Sequence, residues 1–312
     1  MRILVLGAGV IGSVYAGGLL GAGHDVVLLA RGRRLVDLRE SGLILHRADT
    51  NDQTTRPVEA VPDLAGQDAF DLVLVPVRSE QLAGVLPVLG EMSDGSTIVF
   101  FGNYSGRQAE LTEALGSRVV WGFPAVGGVR DGPVVRYVPI SQQRTMLGEP
   151  DGQTTPRIRQ FAAALTGAGF ATSISTRMDA WLLGHAAFIA PIGCALQLAD
   201  TDPGKLARDR ALLKLMVRAT RQGFRALAGA DQVEIPTNLR ALYLGLPTAF
   251  AIVYWKRVLA GPRGELWFAA HTRAAPEEMA ELAKTLDTAV RRTERPAPDL
   301  LHLIETARTS QL

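Results

Sequence analysis

The feature that most constrains this chain is the run Gly7-Ala8-Gly9-Val10-Ile11-Gly12, placed directly behind the apolar stretch Arg2-Ile3-Leu4-Val5-Leu6. A lone G-x-G-x-x-G is weak. Behind a strand, opening a helix, and inside a strand–helix–strand unit of about 30 residues, it describes a dinucleotide-binding turn. Gly7 permits the tight turn, Gly9 lets the backbone approach a pyrophosphate, and Gly12 lets helix and strand pack closely. The helix that begins at Val10 offers N–H donors and a partial positive charge to phosphates. Gly7, Ala8, Gly9, Val10, Ile11 and Gly12 are therefore expected cofactor contacts.

The same grammar continues through the first half. Short apolar runs at 25–30, 71–77 and 96–101 read as buried strands. Helical spacing lies at 10–20, 33–40, 79–90 and 107–115. Strands alternating with helices imply right-handed crossovers and a parallel, doubly wound sheet. Two β-like pieces follow at 134–138 and 144–147, with turn signals at Asp131-Gly132-Pro133. A helix at 156–167 and a strand at 170–174 close the region. From residue 177 onward only helical patterns are evident, at 178–199, 205–229, 236–260, 276–292 and 298–308. A chain of 312 residues has room for two domains of roughly 150 residues each. The expected fold is thus α/β, with a Rossmann-type domain over 1–175 and an all-helical domain over 176–312.

Composition removes several classes of function. With 33 basic and 31 acidic residues, the net charge of +2 argues against a nucleic-acid or anionic-membrane partner. Cys194 is the single cysteine, so neither a disulfide framework nor a cysteine-based zinc site is possible. The five histidines lack ligand spacing, and no metal is expected. The most apolar later stretch, 181–199, contains His185, Pro191 and Gln197 and reads as a buried core helix. The apolar start is broken by glycines with no cleavage region behind it, so it reads as a strand and not as a signal peptide. A cytoplasmic protein is expected.

Cofactor choice is read at the end of the second strand. An NAD-binding chain places Asp or Glu there for the ribose 2′-hydroxyl. Here the residues are Ala30-Arg31-Gly32-Arg33-Arg34. A carboxylate would repel a 2′-phosphate, whereas a guanidinium binds it as a fork. The expected cofactor is NADP(H), with Arg31 as leading contact. Arg33 and Arg34 read as arginines of a solvated loop.

Glycine turn, basic loop and all-helical second half together resemble the ketopantoate reductase (2-dehydropantoate 2-reductase) family. The resemblance runs through Gly23-His24-Asp25-Val26, Ala30-Arg31-Gly32 and Asp71-Leu72-Val73-Leu74-Val75-Pro76-Val77-Arg78-Ser79. In the last of these, Arg78 stands where the family has lysine. Phe101-Gly102-Asn103 is similar to the family's Gln-Asn-Gly, with Tyr104 where glycine is usual. Val129-Arg130-Asp131-Gly132-Pro133, Leu147-Gly148-Glu149 and Gly261-Pro262-Arg263-Gly264-Glu265-Leu266 also match. The resemblance implies hydride transfer between NADPH and a 2-oxo acid or related carbonyl, in a cleft between the domains. It adds Val77, Arg78 and Asn103 to the expected cofactor contacts. It implies a helical domain of the 6-phosphogluconate-dehydrogenase C-terminal type, serving substrate and homodimer formation, and a small-molecule substrate as partner.

The chain departs from the family where a lysine on the first helix of the second domain protonates the new alkoxide. That helix reads Trp181-Leu182-Leu183-Gly184-His185-Ala186-Ala187-Phe188-Ile189-Ala190-Pro191. Aligned on Trp181, Leu183 and Ala187 replace the lysine and first asparagine. Aligned on Pro191, Leu182 and Ala186 do. A general acid is worth about 10²- to 10⁴-fold, so a donor from elsewhere is needed. His185 lies near the same helix face, and its other reading is a core histidine. Lys256 stands about where the family has an acid, and its other reading is a helix lysine facing water. Glu265 is the best-placed remaining carboxylate, and Asn103 should lie beside nicotinamide and substrate. The expected substrate is less hydrophilic than the family's usual one. Two alternatives stay open: an NADP(H)-binding protein without catalysis, and a true 2-dehydropantoate 2-reductase with a displaced acid.

Overall fold

Ile3, Leu4 and Val5 are wholly buried, as an apolar run must be at the centre of a sheet covered on both faces. In the computed structural model, which describes residues 1–230 and 233–310, they belong to the first of twelve strands. These are β1 (Arg2–Leu6), β2 (Asp25–Leu29), β3 (Leu43–Arg47), β4 (Asp52–Arg56), β5 (Glu59–Val61), β6 (Leu72–Val75), β7 (Thr97–Phe101), β8 (Val119–Phe123), β9 (Val126–Asp131), β10 (Val134–Pro139), β11 (Thr145–Gly148) and β12 (Thr172–Ile174). One eight-stranded sheet has the order β12-β11-β8-β7-β6-β1-β2-β5, and a second has the order β4-β3-β10-β9. From β5 to β8 the large sheet is parallel, and β11 turns antiparallel to β8. The strand order reverses at β1, between β2 and β6.

Helices α1 (Val10–Gly21), α2 (Gly32–Ser41), α3 (Leu86–Gly90), α4 (Gln108–Leu115) and α5 (Pro156–Gly167) complete the first unit, Met1–Met178. Helix α1 is enclosed on several sides, which explains its small residues. A Cβ at Gly17 would lie 2.4 Å from Leu45 of β3, and one at Gly18 would lie 2.5 Å from the Phe170 ring. The small sheet thus covers α1 on the side away from the large one.

Of that small sheet only β10 is in the sequence expectation, as the β-like piece at 134–138; β3, β4 and β9 are absent from it, and so is β8. Strand β4 is Asp-Gln-Thr-Thr-Arg and exposed throughout, so it carries no apolar alternation. Strands β8 and β9 contain glycines where neighbours crowd in. At Gly128 a Cβ would sit 2.3 Å from the Arg136 carbonyl oxygen, and at Gly122 it would sit 2.5 Å from the Phe101 ring. Glycine inside a strand weakens the local signal while serving close packing. The helix expected over 79–90 is a 3₁₀ turn, Ser79–Gly84, followed by α3 with Pro87 in its first turn.

The second unit, Asp179–Leu312, contains no strand among its described residues. Its helices are α6 (Met178–Leu198), α7 (Pro203–Arg208), α8 (Arg210–Ala228), α9 (Thr237–Arg240), α10 (Thr248–Ala260), α11 (Pro262–Gly264), α12 (Ala270–Ala274), α13 (Pro276–Arg291) and α14 (Pro298–Thr309). The helix expected over 205–229 is two, because Asp209 caps a fresh start by accepting from the N–H groups of Ala211 and Leu212. The one expected over 236–260 is interrupted before Pro247, which cannot donate to a preceding turn. Helix α6 is the one described helix long and apolar enough to cross a membrane, and most of it is buried in this unit's core. Ala186, Ala187, Ile192 and Leu196 are fully enclosed there, with Phe224, Tyr243, Trp255 and Phe268.

Candidate functional site

The glycine turn has the backbone its residues allow. Gly7 takes φ +126°, a region closed to residues with a Cβ. Gly12 has no room for a side chain: a Cβ would lie 2.0 Å from the Gly7 carbonyl oxygen and 3.0 Å from Pro76. Gly9 is the opposite case. It caps α1 without a side-chain hydrogen bond, and a Cβ there would meet nothing within 4 Å. No acidic residue lies in the first turn of α1. An uncapped helix start facing open space, with no carboxylate beside it, suits an anion.

The other expected contacts gather along the same edge. Arg31 follows β2 and is exposed at the start of α2. Val77 and Arg78 follow β6, and Asn103 follows β7. Strands β2, β1, β6 and β7 are neighbours and parallel. All of these residues therefore sit at the carboxyl ends of adjacent strands, where the order reverses, and open α/β sheets take ligands there. Gly7 and Val77 are neighbours: a Cβ at Gly7 would lie 3.4 Å from Val77 Cγ1. Arg78 opens the 3₁₀ turn, its N–H donating to Gln81 Oε1 at 3.1 Å and its guanidinium 3.9 Å from Glu80. Asn103 is half-buried. Next to it the buried Tyr104 hydroxyl donates to the Val75 carbonyl at 3.1 Å and also reaches the Val77 carbonyl. Tyr104 thus ties the segment after β7 to the segment after β6, a task invisible in the sequence.

One sequence reading is corrected here. Arg34 is not a loop arginine in water: it is 7% exposed. Its Nε donates to the Ala8 carbonyl at 3.1 Å, Nη1 to the Pro133 carbonyl at 2.9 Å and Nη2 to Ser13 Oγ at 3.0 Å. Arg33 does face solvent, paired with Asp37.

In the second unit His185 lies on α6, stacked on Trp181 with centroids 5.6 Å apart and edge-on to Phe188 at 6.2 Å. The residue is half-buried, but its ring face is covered. Burial, helped by the nearby charge of His271, pushes its pKa down to about 3. A ring held neutral at physiological pH is the weaker candidate for the expected proton donor. Lys256 is exposed on α10 and makes no ion pair among the described residues. Glu265 opens a π-helical turn, Glu265–Ala269, and is ion-paired with Arg273. Such turns are rare and concentrate at functional sites. One aromatic cluster joins the three elements: Phe188 lies 5.6 Å from Trp255, and Phe268 touches both. Lys256 follows Trp255, and Glu265 precedes Phe268 by three residues.

Known proteins resemble this chain in sequence and in fold. The family described as Ketopantoate reductase PanE/ApbA matches residues 3–152. The 2-dehydropantoate 2-reductase of Halobacterium salinarum is 30% identical over 266 residues, 84% of this chain and 86% of that one. The crystal structure of 2-dehydropantoate 2-reductase from Geobacter metallireducens superposes with a TM-score of 0.78 at 19% identity, covering 98% of this chain and all of that one (100%). A ternary structure of D-mandelate dehydrogenase with NADH and anilino(oxo)acetate superposes with a TM-score of 0.75 at 14% identity, covering 99% and 98%.

Proposed function

This chain belongs to the ketopantoate reductase family of oxidoreductases, and we propose that it is an NADPH-dependent reductase of a 2-oxo acid or similar carbonyl bearing an apolar group. The observation that carries the reading is the line of Gly7–Gly12, Arg31, Val77, Arg78 and Asn103 along the carboxyl edge of four adjacent strands. Gly9 and the start of α1 hold the pyrophosphate. Arg31 holds the 2′-phosphate, since no carboxylate stands among residues 30–34 to repel it. Val77, Arg78 and Asn103 line the nicotinamide end. When bound, the cofactor supplies hydride to the carbonyl carbon. The oxygen then needs a proton, and we assign it to Lys256 Nζ; the neutral ring of His185 makes it the poorer choice.

The apolar substrate class rests on the surroundings of Lys256. Leu246, Phe250, Val253 and Tyr254 are the large apolar residues most exposed on this part of the chain, with Phe250 61% exposed. Val253 lies one helical turn before Lys256. The two positions at which the family's lysine can be aligned, Leu182 and Leu183, are apolar too. The D-mandelate dehydrogenase complex holds anilino(oxo)acetate, which carries a phenyl ring, on a similar fold, so such a scaffold accommodates an apolar group.

Fluorescence titration with NADPH and NADH, followed by NADPH oxidation assays, tests this. The substrates are ketopantoate and a series of aryl and branched aliphatic 2-oxo acids. Tighter binding of NADPH and faster turnover of the apolar acids are expected. NADPH binding without oxidation of any carbonyl would overturn the reading in favour of a non-catalytic binding protein.

A further inference from the structure

We infer that Arg34 is a positioning residue for the dinucleotide: it locks the glycine turn, the start of α2 and the β9–β10 turn into one rigid phosphate-binding body. The inference rests on the cofactor reading above and extends it to a residue that touches no cofactor atom.

The hydrogen bonds carry the argument. Arg34 is the third residue of α2, which begins at Gly32 directly after Arg31. Its guanidinium reaches back to the carbonyl oxygen of Ala8, between the first two glycines of the turn. The Ala8 carbonyl also accepts from Ser13 Oγ at 3.2 Å, and Ser13 Oγ in turn accepts from Arg34 Nη2. Ser13 is fully buried and Ala8 nearly so. The direction of the Ala8 peptide is therefore fixed from two sides. That direction sets the direction of the Gly9 N–H, because the peptide unit between Ala8 and Gly9 is planar. The third bond, to the Pro133 carbonyl, brings in the small sheet, which the sequence gives no reason to connect with a cofactor.

Charge points the same way. All three acceptors are neutral, two carbonyls and a hydroxyl. The nearby carboxylate of Asp37 is held by Arg33 Nε at 2.8 Å. Burial and the positive charge of Arg130 both make the guanidinium a weaker base than usual, with Asp37 opposing, yet an arginine remains charged. A buried cation backed mainly by dipoles lies directly beneath a turn that faces an anion. Its field favours the pyrophosphate, which NADPH and NADH share. The residue consequently acts on both cofactors alike, unlike Arg31, which acts on the 2′-phosphate that only NADPH carries.

Direct binding of NADPH and of NADH to the full-length protein separates the two roles. Arg34→Met should weaken both by a common factor, about tenfold to a hundredfold, as expected for losing charge-assisted hydrogen bonds. Arg34→Lys keeps the charge without the fork and should fall between Met and wild type. Ser13→Ala should shift both affinities in the same direction by less. Arg31→Ala should weaken NADPH alone. Arg157→Met leaves the buried Glu149 carboxylate without its guanidinium partner elsewhere in the same unit and should lower Tm without moving either Kd. Loss of NADPH binding alone in Arg34→Met would overturn the inference, since Arg34 would then be a 2′-phosphate contact. So would unchanged affinities in a folded Arg34→Met. If Arg34→Met does not fold, Arg34→Lys and Ser13→Ala decide it, and unchanged affinities in both overturn it. Wild-type protein that binds neither nucleotide would sink the cofactor reading itself, and preference for NADH would sink only the choice of NADPH.

Discussion

The hydroxyl of Tyr15 on α1 lies 2.6 Å from Thr145 Oγ1 on β11 and accepts the backbone N–H of Ala125 at 3.0 Å. The ring stacks on Phe170 at 4.1 Å and meets Phe101 edge-on at 4.7 Å. One side chain thus ties α1 to the antiparallel edge of the large sheet, where burial pushes its pKa up to about 12. Tyr15→Phe keeps the ring contacts but leaves the Ala125 N–H and the Thr145 hydroxyl without that partner. A loss of about 1–3 kcal/mol is expected, read by denaturant unfolding. The double variant Tyr15→Phe/Thr145→Val should cost less than the two single losses summed.

Gly9 and Gly12 should respond oppositely to alanine. A Cβ at Gly12 collides with the Gly7 carbonyl oxygen and with Pro76, so Gly12→Ala should lower Tm and abolish NADPH binding together. A Cβ at Gly9 meets nothing in the protein. Gly9→Ala should unfold at the wild-type temperature while binding NADPH more weakly by about tenfold or more, because the methyl occupies the space assigned to the pyrophosphate. Equal Tm losses in the two variants would contradict this.

His185 makes stability depend on acidity. Its ring is neutral in the fold down to about pH 3, while an unfolded histidine takes up a proton below about pH 6.5. The unfolded state then binds more protons, so this contribution is complete above about pH 6.5 and shrinks as the pH falls toward 3. The slope approaches about 1.4 kcal/mol per pH unit for one full proton. His185→Phe should remove that part of the slope. Unfolding free energies of wild type and variant, compared from pH 7 to pH 4, should diverge as the pH falls, and a constant difference would refute the assignment.

Lys256→Ala should lower kcat by about 10²- to 10⁴-fold with NADPH affinity intact, as for loss of a general acid. Since Lys256 is exposed and unpaired among the described residues, its Tm should not change. Glu265→Gln frees Arg273 from a surface pair and should cost under about 1 kcal/mol. Unchanged turnover in Lys256→Ala would end its candidacy.

Local sequence determined the elements whose chemistry is self-contained. Arg2–Leu6 is a buried parallel strand because every residue after the arginine is apolar, and the chain can turn tightly at Gly7 because φ +126° is open only to a residue without a Cβ. The run over 156–167 carries its own N-cap, Thr155, which accepts from the Ile158 N–H, and Pro156 behind it, so its bounds were readable from the residues alone. The absence of a carboxylate beside Arg31 was equally a fact of sequence. Only the tertiary structure decided where Arg34 points, because its three partners come from segments up to 99 residues away. Two strands of the small sheet are likewise invisible locally: the exposed Asp52–Arg56 and the glycine-bearing Val126–Asp131 become strands only through partners that supply their hydrogen bonds. Electrostatics followed the same rule. The residue type of His185 offered a proton donor, and the covering of its ring by Trp181 and Phe188, beside His271, removed the charge, since the cost of ionisation is set by everything that displaces water around a group.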